Sequence, residues 1–258
     1  MAQGLPRTRF NTARLVRVLA DLAVADAADS KQSFADRLGQ WLGFNDALAL
    51  FSALNPGPVA GGEPQSASSA AAAGSAVQAY ARMRTALAES IVADGVFRPG
   101  KARIELPTPL ANMSLEEAAD FAPYHRYYLA HQRDMNASIG PLRATVRATL
   151  AQRSAELKRL AALDAVMDQA LAARERALLA TVPGLLAKRF EQLFAAHQAA
   201  LAETQAADDT QRWMQPGGWL AVFCRDMQAV LLAELELRLQ PVAGLVEALE
   251  HESAAPRP

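Results

Sequence analysis

Residues 142–182 read LRATVRATLAQRSAELKRLAALDAVMDQALAARERALLATV, between Pro141 and Pro183. No Gly or Pro interrupts this stretch, and Ala, Leu, Arg, Glu and Gln dominate it, residues that lose little side-chain freedom on entering a helix. At 1.5 Å per residue, it predicts a continuous helix of ~60 Å. Val146, Leu150, Leu157, Leu160, Leu163, Met167, Leu171 and Leu178 form its apolar stripe. Their mixed steps of three, four and seven suit packing against other long helices better than a strict coiled coil. Pro183 is expected to turn the chain back into a helix carrying Leu186, Phe190, Leu193, Phe194, His197 and Leu201.

Working outward, Pro141 removes a backbone donor and is expected to bend the path, while Pro123 fits a first helical turn or a kink. Ser114-Leu-Glu-Glu117 reads as a capping box: the Ser hydroxyl accepts the amide of Glu117, whose carboxylate returns to the Ser amide. Helical periodicity also runs through Val77, Tyr80, Met83, Leu87 and Ile91, before Gly95, Pro99, Gly100, Pro107 and Pro109 predict irregular chain. Downstream, Trp219 to Leu239 is a further striped helix, with Pro241 starting a last short one. Near the amino end, Leu15, Val18, Leu19 and Leu22 follow Asn11 at helical spacing. Phe34, Leu38, Trp41 and Leu42 repeat the pattern up to Gly43, and a short apolar helix runs through Ala47 to Leu54.

The fold expected is therefore all-α: an elongated helical bundle over 76–252 with a long central helix or helical hairpin, and a small helical unit over 1–54. A Pro/Gly/Ser/Ala linker over 55–75 has nothing large to bury and is expected to be flexible, and 253–258 is expected to be a disordered tail.

Over 258 residues, 26 Lys and Arg nearly balance 27 Asp and Glu, so no field of one sign recruits nucleic acid or an acidic membrane. The charge is nonetheless uneven: residues 123–191 carry eleven cations against six acids, and 201–252 three against nine, so the long helices can complement one another. The lone Cys224 excludes an internal disulfide and a Cys-rich zinc module. No apolar run approaches the ~18 residues of a membrane span. Arg17 and Asp21 cut the stretch that a secretory signal would keep intact, so the cytoplasm is the expected location.

Motifs for chemistry are weak. Gly95-Val-Phe-Arg-Pro-Gly-Lys101 has the spacing of a phosphate-binding loop, but Ala102 stands where the Mg²⁺-binding hydroxyl belongs, and Pro107 and Pro109 fall where the following helix should start. No His-Glu-x-x-His, no Glu-x-x-His pair and no Gly-x-Ser-x-Gly elbow occurs. Cys224 lies among packing residues, and so does His197, between Phe194 and Leu201. Trp213 and Trp219 flank Pro216-Gly-Gly218, a turn that either docks a partner or pins a helix entry to the core. Neither a catalytic residue, a cofactor nor a metal is expected.

The segment Phe121-Ala-Pro-Tyr-His-Arg-Tyr-Tyr-Leu-Ala-His-Gln-Arg-Asp-Met135 holds three of the four tyrosines and two of the four histidines. Tyr124, Tyr128 and His131 fall on one helix face, as do Tyr127, His131 and Asp134. With His125, Arg126, Gln132 and Arg133, these side chains are the candidate partner-binding surface; the competing reading packs the tyrosines between helices with their hydroxyls bonded across the bundle.

RFNTARLVRVLADL over 9–22, SKQSFADRLGQWL over 30–42 and PYHRYYLAHQRDM over 123–135 resemble a proteobacterial family known as a domain of unknown function. The resemblance supplies no catalytic residue. It implies genes beside proton-channel-like and OmpA-like envelope proteins, hence a cytoplasmic accessory of an envelope assembly. We therefore expect a non-enzymatic scaffold or adaptor acting through a protein partner or self-association. Nucleic-acid binding along the basic 126–189 segment is the alternative.

Overall fold

The computed structural model describes residues 13–25, 34–55, 67–110, 113–205 and 207–254, and among them the regular structure is entirely helical. The order is α1 (Arg14–Asp21), α2 (Phe34–Trp41), α3 (Phe44–Leu54), α4 (Ala67–Val92), α5 (Leu115–Ala118), α6 (Ala122–Ala151), α7 (Ala155–Leu179), α8 (Val182–Thr204), α9 (Thr210–Trp213) and α10 (Trp219–Ala254). None is long and apolar enough to cross a membrane.

Helix α10 is the axis. Leu220, Phe223, Met227, Val230, Leu231, Val242 and Leu249 are buried along one broad face of it, against which α1, α4, α6, α7 and α8 pack, while Arg225, Glu236, Glu247 and Glu250 remain exposed on the other. Helix α6 runs parallel to α10 at a nearly constant offset in sequence: Tyr128 and Gln132 meet Glu234, Asn136 meets Arg238, and Arg153 meets Glu252. Helix α7 runs antiparallel to α6, clasped by Arg143 and Arg147, each bound to both Asp164 and Asp168. Helix α4 runs antiparallel to α10, with Gln228 donating to the Ile91 carbonyl near its end. The long helices form an elongated up-and-down bundle.

The prolines do not divide the helices as expected. Pro141 lies inside α6 and Pro241 inside α10. Both are exposed, on the side where water reaches the carbonyl each leaves without a donor, and packing of both flanks carries the helix through. The predicted unbroken helix over 142–181 is instead interrupted at Gln152–Ser154, without Gly or Pro. The last turn of α6 tightens, with the Arg153 amide on the Leu150 carbonyl, and Ser154 takes extended backbone and caps α7 by accepting the Leu157 amide at 3.2 Å. This corner makes the hairpin. At Pro183 the chain does not turn back: Ala180 and Thr181 keep right-handed helical backbone, and Phe190 reaches Phe121 and Tyr124 at the start of α6. A proline in the first turn of α8 is compatible with this continuation.

The capping box of Ser114 and Glu117 forms, and Pro123 sits in the first turn of α6. Residues 67–75, expected in the linker, belong to α4, where Ala73 and Ala76 are buried; a run of alanines is too small to form a core but fits closely against other helices. Residues 56–66 lie outside the described residues. Of the expected tail, Ser253 and Ala254 complete α10 and 255–258 lie outside. The amino-terminal helices join the bundle at two places, α1 against α10 and α3 against α7.

Candidate functional site

The 124–133 segment divides between interior and surface. Tyr124, Tyr127, Tyr128, His131 and Gln132 are buried, so they are corrected from partner-binding surface to packing; Arg126 and Arg133 are exposed and His125 is half-buried beside Phe121. The physical reason is the face they share, which α10 and α8 cover. Tyr124 meets Phe190 and Phe223, while Tyr127 packs edge-on to His131 at 4.6 Å.

At the centre of this interface lies Glu234, with no exposure at all. Tyr128 donates its hydroxyl to one carboxylate oxygen at 2.6 Å, Gln132 Nε2 approaches both at 2.9 and 3.1 Å, and Arg238 Nε donates at 2.8 Å. Arg238 also reaches the Asn136 side-chain oxygen at 2.7 Å. Tyr128, Gln132 and Asn136 are successive steps of four along α6, and Glu234 and Arg238 are one such step along α10. Gln132 Nε2 further donates to the Leu179 carbonyl at 3.2 Å, the carbonyl whose ordinary helical donor would be residue 183, a proline. Burial pushes the Tyr128 hydroxyl well above its usual range, with Glu234 adding to the effect, so it stays a donor. The network gives the buried Glu234 carboxylate its donors from within the bundle, so Glu234 is a structural group of the α6–α10 interface.

His131 and Asp134 do not pair. Asp134 pairs with Arg103, and burial, then the Arg103 charge, lowers the His131 pKa to about 4. The Gly95–Lys101 loop is likewise engaged: the amides of Val96, Phe97 and Arg98 all donate to one oxygen of the buried Asp94 carboxylate, the chain's own anion in the place a phosphate would need. Burial, with Asp94 nearby, raises the Cys224 thiol, which makes it inert as a nucleophile at neutral pH.

Of the cations in the basic segment, Arg143 and Arg147 are held by α7 carboxylates, Arg153 by Glu252 and Arg189 by Asp226. Arg174 stacks over Trp41 at 4.9 Å and ties the end of α2 to α7.

Two features unite residues that the sequence shows only separately. His197 stacks on Trp219 and shares the Asp208 carboxylate with Trp213: His197 Nε2 and Trp213 Nε1 lie 3.0 and 2.9 Å from one oxygen. They line a cleft of about 440 Å³ with Leu193 and Leu201. The Gly217–Gly218 turn pins this corner, since a Cβ on Gly218 would lie 2.2 Å from the Arg212 carbonyl.

The second feature is on α3. Phe44, Leu48, Phe51 and Leu54 follow at steps of four, three and three and are 83%, 55%, 64% and 50% exposed. The opposite side, with Leu50 and Ala53 half-buried, is the one turned inward as α3 packs on α7. The sequence marks this helix only as a short apolar one running through Ala47 to Leu54. The signal was there: eleven residues apolar on both faces with one charge, Asp46, need cover on two sides. Patches of this kind mark interaction surfaces.

Over residues 1–251 the chain matches the family described as "Protein of unknown function (DUF3348)". No curated protein and no solved structure matches the chain.

Proposed function

The chain belongs to the DUF3348 family, and from that premise we propose that it is a non-enzymatic helical scaffold or adaptor that works by contact with other proteins. The observation that carries this reading is the outer face of α3, four large apolar side chains exposed on a helix whose other side is seated on the bundle. The frame behind it is stiff, because α6, α7 and α10 are joined by buried or half-buried ion pairs and by the Glu234 network. A stiff frame keeps the ordering cost of binding low. The exposed Arg126 and Arg133 supply a separate polar surface.

We also propose the cytoplasmic side of a bacterial envelope assembly as the setting; the resemblance carried by residues 9–22, 30–42 and 123–135 supports it. The test is capture of a partner by the full chain, compared with Phe44→Glu/Phe51→Glu and with Arg126→Ala/Arg133→Ala. Loss of a specific partner with the first variant and retention with the second is expected. Equal capture by the wild type and both variants would refute the reading.

A further inference from the structure

We propose that the cleft between α8, α9 and the start of α10 binds a small aromatic amine, whose ammonium group meets the Asp208 carboxylate. The walls come from these elements and the chain joining them, none from α3, so the site goes beyond the scaffold role and stands without it.

The first ground is charge. Asp208, Asp209 and Arg212 all line the cleft. Asp209 and Arg212 answer each other: the guanidinium Nε lies 3.4 Å from one Asp209 oxygen, and the other oxygen accepts the Gln211 amide at 3.0 Å. Asp208 has no Lys or Arg beside it among the described residues. Its Oδ1 takes two ring nitrogens, His197 Nε2 at 3.0 Å and Trp213 Nε1 at 2.9 Å, while its Oδ2 takes no donor. The side chain is 22% exposed, so the carboxylate can be reached from the cleft. A carboxylate with one oxygen unmet, set against apolar walls, gains most from a cation that also donates hydrogen bonds. An anion would instead meet two carboxylates against one guanidinium.

The second ground is shape. At about 440 Å³ the cleft falls within the ~300–1,000 Å³ of small-molecule sites. Leu193, Leu201 and Val222, each half-buried, give it apolar walls. The half-buried His197 ring lies flat on Trp219, with centroids 5.9 Å apart and planes at 25°, and offers an aromatic surface to a ring entering beside it. The corner is already set: Gly218 lies too close to the Arg212 and Trp213 carbonyls for any Cβ, and Asp208 is held by two donors. A preformed cleft keeps the ordering cost of a ligand low. The ligand that matches is a single apolar ring with a primary ammonium on a short arm.

Calorimetric titration of the full chain with phenethylammonium tests this, at about pH 8, where a free imidazole is neutral and an alkylammonium is charged. Phenethyl alcohol and hydrocinnamate are the neutral and anionic probes of similar shape. The expected result is saturable one-to-one binding of the amine, roughly tenfold tighter than the alcohol and weakened by added salt, with no binding of hydrocinnamate. Asp208→Asn keeps an oxygen for His197 and Trp213; it should cost the amine roughly tenfold and leave the alcohol unchanged. Ala196→Trp, which fills the cleft from an exposed position on α8, should abolish binding of both while the thermal unfolding curve stays in place. An amine that does not saturate, an alcohol or hydrocinnamate bound as tightly as the amine, or either variant binding the amine like the wild type overturns the site. The three probes are compared on the wild type, so the test decides even where Asp208→Asn fails to fold.

Discussion

Tyr128 on α6 donates its hydroxyl to Glu234 on α10 at 2.6 Å, and neither residue has any exposure. Removing the hydroxyl in Tyr128→Phe takes one donor from a buried carboxylate and should cost ~1.5–3 kcal/mol in urea unfolding. Glu234→Leu should cost more, ~3–5 kcal/mol, because it leaves the Arg238 guanidinium without its acid. Glu234→Leu/Arg238→Leu should cost less than the sum of the single changes, and additive losses would show that the pair is not coupled.

Gln132→Met keeps the volume but removes the amide shared between Glu234 and the Leu179 carbonyl. A loss of ~1–3 kcal/mol is expected. Adding Pro183→Ala, which restores the backbone donor at residue 183, should recover part of it. No recovery would show that the proline does not create the need for Gln132.

His131 stays neutral in the folded protein down to about pH 4, whereas the unfolded chain takes up its proton near 6.5. Between those values the unfolded state binds the extra proton, so this residue's contribution is whole above the window and falls as pH falls through it. The total is about 3 kcal/mol. His131→Phe should flatten the stability profile between pH 6.5 and 4 relative to the wild type, and an unchanged slope would be the contrary result.

Gly218→Ala should be among the most damaging single changes, since its Cβ would sit 2.2 and 2.3 Å from the Arg212 and Trp213 carbonyl oxygens. Loss of ~3 kcal/mol or more, with disordered tryptophan fluorescence, is expected. Gly217→Ala meets no neighbour and has only its positive φ of 88° to overcome, so ~1–2 kcal/mol is expected. Equal effects of the two changes would place the strain elsewhere.

Local signals were the legible ones. The Ser114 cap, the irregular chain after Gly95 and the start of α10 at Trp219 depend on neighbours a few residues away. The hairpin corner was not legible, because Ser154 caps α7 after a tightened turn whose residues carry no breaker, while Pro141 and Pro241, strong breakers in isolation, are overridden by burial on both flanks. The spacing of Tyr128 and Gln132 showed a shared face but not what covers it. That required Glu234, 106 and 102 residues away. The α3 stripe was legible as apolar, but whether an apolar face is covered is decided by tertiary packing, and here α7 takes the other side.

Glu234, the buried carboxylate on the apolar face of α10, has a further effect. Sliding α10 past α6 by one helical turn, ~5.4 Å, would carry Glu234 and Arg238 away from their α6 partners and leave Tyr128 and Gln132 without their acceptor and Asn136 without Arg238. Apolar surfaces alone would tolerate such a slip almost indifferently. Glu234 thus acts as a key in a slot: it locks the longitudinal register of the two parallel rods, and a load applied along the bundle passes through it instead of shearing the core.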